Sequence, residues 1–112
     1  MDIVVHRLNK KLLNGVSAAS NQMSDALDIQ GFSLYCVQYH WSGFSAVNPL
    51  IKIYASNSLS EPFIEIDSYV PAGTTGGRIV NVEKAGYAFI KIGYSCSSGA
   101  GTITASVNGK VL

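Results

Sequence analysis

From residue 31 onward the chain places an apolar residue at every second position, the period of a strand with one buried face. In LIKIYASN, residues Ile51, Ile53 and Ala55 fall on one side and Lys52, Tyr54 and Ser56 on the other. PFIEIDSY sets Ile64 and Ile66 against Glu65 and Asp67, so both carboxylates are expected on one outer face. GYAFIKIGYSC aligns Ala88, Ile90, Ile92 and Tyr94, and TITASVNG aligns Ile103, Ala105 and Val107. GFSLYCVQYHW carries bulk on both faces: Phe32, Leu34 and Cys36 on one, Tyr35, Val37, Tyr39 and Trp41 on the other. Its aromatic and β-branched content predicts a central strand. GGRIVNVEK and DIVVHRL supply two shorter strands.

Between these runs lie WSGFSAVNP, SNSLSEP, VPAGTTGG, EKAG and CSSGAG, rich in residues that favour chain reversal. CSSGAG reads as the loop of a hairpin pairing the last two strands. Residues 8–30 lack a clean period, and Gly15 argues against a long helix, so this stretch is expected to be extended or coiled. The pattern predicts an all-β, antiparallel β-sandwich, jelly-roll-like, with an extended N-terminal arm. Residues 1–22 form the N-terminal strand and arm, and 23–112 the sandwich.

A chain of 112 residues suits one domain. Only 13% of its residues are charged, and the net charge is +1. A surface so poor in charge does little to repel a second copy, which predicts a homo-oligomer or a protein partner. Lysines and arginines form no stripe suited to phosphates, so nucleic acid is not expected as a partner. No run approaches the roughly 20 apolar residues of a membrane helix, and no membrane partner is expected. The start, MDIVVHRLNKKLLNG, lacks the basic and apolar regions of a signal peptide, which points to synthesis in a cytoplasm.

Reactive chemistry is sparse. Cys36 and Cys96 lie sixty residues apart, as in an inter-sheet disulfide, but Trp41 follows Cys36 too closely for the matching core tryptophan; two free thiols are expected. His6 and His40 have no ligand-like spacing, so neither metal nor cofactor is predicted. Glu61, Glu65 and Asp67 are the local acidic group, and exposed strand carboxylates explain them better than a glycosidase pair. No nucleophile motif or phosphate loop is present, and no enzyme is predicted. Tyr35, Tyr39, Trp41 and Tyr54 have three readings: half of them fill the core, or they face a protein, or they stack on a sugar.

MSDALDIQGFSLYCVQYHWSG, IKIYASNSLSEPF and AGYAFIKIGYSCSSGAGTITASVNGK together resemble a family of small virion proteins from tailed bacteriophages and prophages. Ser24-Asp25, Trp41-Ser42-Gly43, Ser56-Asn57 and Ser98-Gly99-Ala100-Gly101 carry the resemblance, which spans roughly residues 23 to 110. SLSEPF stands where the family has Asp-Gly and a tryptophan. The resemblance implies a structural component of the virion, most like the cement or staple proteins that decorate capsids. Its partner would be the major capsid protein or another virion protein. Synthesis would be in the bacterial host cytoplasm, and the final location the virion. Arg7, Lys10 and Lys11 on the arm, with Tyr39, Trp41 and Tyr54, are the expected interface. The alternatives are a tail, baseplate or receptor-binding component, or a small carbohydrate-binding module.

Overall fold

The computed structural model describes residues 7–32, 34–83 and 87–110. Nine strands make two antiparallel sheets, and no helix occurs among the described residues. The strands are β1 (Arg7–Ser17), β2 (Gln22–Met23), β3 (Leu27–Asp28), β4 (Leu34–Val47), β5 (Leu50–Ser56), β6 (Ile64–Tyr69), β7 (Gly76–Glu83), β8 (Phe89–Ser95) and β9 (Ser98–Lys110). One sheet runs β1-β9-β4-β7; the other runs β2-β8-β5-β6, with β3 also on β8. Counting β2 and β3 as one interrupted strand, the order is that of an eight-stranded jelly roll, in which a long folded ribbon wraps into two sheets.

The period-two faces expected for β5, β8 and β9 meet between the sheets. Ile51, Ile53, Ile90, Ile92, Tyr94, Ile103, Ala105 and Val107 are all buried. They are joined from β4 by Tyr35, Val37, Tyr39 and Trp41. The other face of β4 is not a second core, since Gln38 and His40 are exposed.

Three sequence expectations change, and one lies largely outside the described residues. Residues 8–17 are extended, but they lie against β9 from Arg7↔Lys110 to Ser17↔Thr102 rather than projecting, with Leu13 and Ala18 in the core. The strand expected over residues 2–8 falls, up to residue 6, outside the described residues. Trp41-Ser42-Gly43 does not reverse the chain. β4 continues through a bulge between Ser42 and Ser45, where Gly43 takes a positive φ. Finally, CSSGAG is no hairpin loop: β8 and β9 lie in opposite sheets, and Ser98–Gly101 already belong to β9.

That crossing runs beside the one from β4 to β5. Val47 pairs with Ser98 in one sheet and Leu50 with Ser95 in the other, while the Ser97 N–H donates to the Val47 carbonyl at 2.9 Å between them. The β1–β2 crossing joins the same corner. Ala18 N–H donates to the Gly101 carbonyl, and the Cys96 N–H donates to Asn21 Oδ1. Ser24 then interrupts the edge strand without losing its pairing. Its hydroxyl accepts the Ile92 N–H at 2.9 Å, and its own N–H donates to the Ile92 carbonyl.

Three phenols buried between the sheets are hydrogen-bonded. Tyr35 donates to the Tyr87 hydroxyl at 2.7 Å, Tyr94 donates to the Ala18 carbonyl at 2.9 Å, and Tyr39 accepts from Arg78 at 3.0 Å. Burial pushes all three above the ordinary value of 10.0, with Arg78 partly opposing the rise at Tyr39. These phenols therefore keep their protons in the fold at a pH where the unfolded chain has released them. Their contribution to stability is intact below about pH 10 and is lost as pH rises beyond it, at about 1.4 kcal/mol per pH unit for each phenol. In a titration followed by phenolate absorbance, Tyr35, Tyr39 and Tyr94 are expected to ionise only with the loss of circular dichroism. Ionisation of all six tyrosines before unfolding would contradict this.

Candidate interaction surfaces

The six residues expected at an interface do not come together. Tyr39 and Trp41 are 0% and 3% exposed and cannot touch a partner or a sugar. They pack with Phe44, Tyr69 and Tyr94 in a chain of rings whose neighbouring centroids lie 6.0–6.4 Å apart. The reason is one of phase: their strand pairs with β9 so that Tyr39 faces the level of Ala105 and Trp41 that of Ile103. Arg7 opens β1, opposite Lys110. Lys10 and Lys11 are exposed on the β1 edge, and neither has an ion-pair partner among the described residues. Tyr54 is half-buried on the outer face of the other sheet, where its ring and Met23 close over Gly93. A shallow depression of about 190 Å³ lies there, lined by Asn21, Met23, Lys52 and Tyr54 among others.

The acidic group is divided by a β-bulge. β6 pairs with β5 as Ile53↔Asp67 and then Tyr54↔Glu65, so Ile66 is an extra residue and the side-chain alternation changes phase. Asp67 shares the face of buried Ile53, while Glu65 shares the outer face of Tyr54 and meets Lys52 at 2.9 Å. The paired outward carboxylates read from the sequence do not exist. Ile64 and Ile66, expected to be buried, are 64% and 40% exposed, because β6 is the last strand of its sheet.

Asp67 instead reaches across the sandwich. Arg78 on β7 grips both of its carboxylate oxygens, donates to the Tyr39 hydroxyl and lies 4.9 Å over the Tyr69 ring. The carboxylate beside it, then the phenol, raise the Arg78 pKa further, so the guanidinium is permanently charged. Asp67→Ala leaves that charge unpaired in a half-buried site. The expected loss is about 2 kcal/mol, between the values for exposed and for buried ion pairs. Urea unfolding of Asp67→Ala, Arg78→Ala and the double variant checks it; strictly additive losses would show that the pair is not coupled.

Cys36 and Cys96 are free thiols. Cys36 pairs with Asn108, eleven positions along β4 from the corner that holds Cys96. That is roughly 36 Å of strand, against the approximately 7 Å limit for Cα atoms in a disulfide. His40 is exposed on a face it shares with Gln38, Ser42, Thr102, Thr104 and Ser106, all uncharged and polar. No group of three or more metal-ligating side chains occurs among the described residues.

These features define a small jelly-roll protein whose outward assets are strand edges, a flat polar face and a few shallow depressions. Two solved structures share the fold along nearly its whole length. One is the SPBc2 prophage-derived protein YomS, at TM-score 0.66 and 16% identity, covering 98% of this chain and 97% of that one. The other is a Bacillus endospore appendage protein from a family of disulfide-linked pili, at 0.56 and 12%, covering 100% and 95%. A family 29 carbohydrate-binding module matches at 0.48, too distant to bear on function. No protein-family model and no curated protein matches the sequence.

Proposed function

We propose that this chain is a structural protein of a bacteriophage virion, a decoration protein that binds neighbouring major capsid subunits and stabilises the shell. The observation that carries the reading is the end-to-end likeness to a prophage-derived protein, over 98% of this chain and 97% of that one. It is supported by a surface with little charge and by a core that fixes long strands at both ends of the molecule. A protein repeated over a lattice needs only modest affinity at each site, since its contacts act together. No reactive group is required of it, and no cofactor. The carbohydrate-binding alternative has lost two of its three aromatic side chains, Tyr39 and Trp41, to the core.

The test is to mix the purified protein with capsids that lack it and count bound copies by cryo-electron microscopy. Hundreds of symmetrically placed copies are expected. A few copies at one vertex would move the protein to the tail, and none would end the virion reading. Deleting residues 1–20 is not a clean probe of the N-terminal contacts, because it removes an edge strand and Leu13 and Ala18 from the core. The double charge reversal Lys10→Glu, Lys11→Glu keeps the fold and reports on the same surface.

A further inference from the structure

The apolar side chains left in solvent are not scattered. Seven large ones are well exposed among the described residues, and five of them, Leu59, Ile64, Ile66, Val70 and Ile79, fall between residues 59 and 79. That stretch comprises β6, the first half of β7 and the loops that enter and join them. Because β6 and β7 end their respective sheets and are bridged by Asp67 and Arg78, this stretch forms one side wall of the sandwich. Concentrated exposure of this kind marks an interaction surface.

The free edges differ in what they would accept. β1 is interrupted by two register shifts and carries Lys10 and Lys11, the devices by which edges avoid pairing. β2 and β3 are two residues each, and β6 carries the bulge at Ile66. β7 has none of these. It pairs with β4 through eight consecutive residues, Gly76 to Glu83, without a shift, and its sequence GGRIVNVE has neither lysine nor proline. Among the described residues, no strand lies beside its other edge.

We infer that β7 and the wall around it bind a second copy of this chain, two β7 strands pairing antiparallel about a two-fold axis to extend the β1-β9-β4-β7 sheet to eight strands. Charge favours an identical partner here. Asp67 and Arg78 neutralise each other and Glu65 is held by Lys52, so Glu61 is the one charge of residues 59–79 without an ion-pair partner among the described residues, and two such walls meet with little charge to oppose them. On the β1 side, a second copy would set lysines against lysines. The contact is modest in area. The eight residues of β7 span about 26 Å, which with the 18 Å thickness of the molecule offers roughly 470 Å² to each partner, against about 800 Å² in a standard interface, so a weak dimer is expected. Because the contact is isologous, it closes at two copies and leaves both β1 edges and both outer sheet faces free. The inference does not depend on the virion reading and could hold if that reading failed.

Light scattering, with the full chain taken up to the high micromolar range, is expected to show a concentration-dependent dimer. Ile79→Lys sets two added charges near the axis and should raise the dissociation constant at least about tenfold. Ile79 is 58% exposed and makes no core contact, so circular dichroism should be unchanged. Lys10→Glu, at an exposed position of β1 on the opposite edge of the same sheet, should leave the dimer intact. Amides of residues 76–83 should exchange more slowly in the dimer than in the Ile79→Lys monomer. A monomer at all concentrations, growth beyond two copies, or equal effects of the two variants would each overturn the inference.

Discussion

Replacing Gly101 by alanine is expected to destabilise the protein by about 3 kcal/mol or more, and to lower its melting temperature by roughly 12 °C. Gly101 sits where β9 bends opposite the bulge of β4, with φ of +102°, a conformation that side chains rarely adopt. A methyl group there would stand 2.6 Å from the Gly43 carbonyl oxygen and 2.7 Å from that of Ser42. Both obstacles are backbone, so no rotamer change relieves them. The Gly101 carbonyl also accepts the Ala18 N–H, and any shift of β9 would loosen the corner where three crossings meet. Gly15 is the natural control. It too has positive φ, +60°, but nothing lies within 4 Å of an added methyl. Gly15→Ala should therefore cost only the conformational term, about 1 kcal/mol. Chemical denaturation of the two variants separates strain from contact. Equal losses would mean that β9 and β4 move apart freely at the bend.

Trp41→Ala is expected to cost about 3–5 kcal/mol, the largest effect of any truncation of an aromatic in this core. The indole touches Phe44, Tyr69 and Tyr39 and is closed over by Gly76, whose missing side chain leaves just the space the ring occupies. An added methyl at Gly76 would come within 2.7 Å of the ring. The indole nitrogen is buried without a hydrogen-bond partner among the described residues, and such a donor carries a desolvation cost of about 1–3 kcal/mol. Trp41→Phe removes that donor while keeping most of the ring, so its net cost should be about 1 kcal/mol. Guanidinium unfolding followed by circular dichroism is the measurement, because Trp41 is the single tryptophan and fluorescence is lost with it. Wild-type stability in Trp41→Ala would show that the ring is not part of the packed core. Loss of any binding activity in this variant would report unfolding rather than a lost contact.

Trp41 also shows where sequence reading stops. An aromatic at an alternate position of a strand is known to share a face with its neighbours at i±2, and Tyr35, Val37, Tyr39 and Trp41 do share one. Which face is inward when both carry bulk depends on the partner strand. Only the register with β9, Tyr39↔Ala105 and Trp41↔Ile103, turned these rings away from solvent. The missed wall has the same origin. Ile64 and Ile66 look like core residues because they alternate with Glu65 and Asp67, and nothing local says that β6 is an edge or that Ile66 is an inserted residue. The regular, lysine-free run of β7 was readable, but its significance depended on its place at the end of its sheet among the described strands.

The sequence by itself determined that this is an all-β chain, where β5, β8 and β9 lie, and which of their residues form the core. Period-two alternation is a local property, written by the opposite directions of successive side chains. The tertiary structure alone decided that β8 and β9 stand in opposite sheets, that Glu65 and Asp67 face opposite ways, and which strand ends each sheet. Strands pair through backbone groups that are nearly the same at every residue, so the side-chain pattern leaves their order open. A one-residue bulge reverses every face beyond it without leaving a mark in composition.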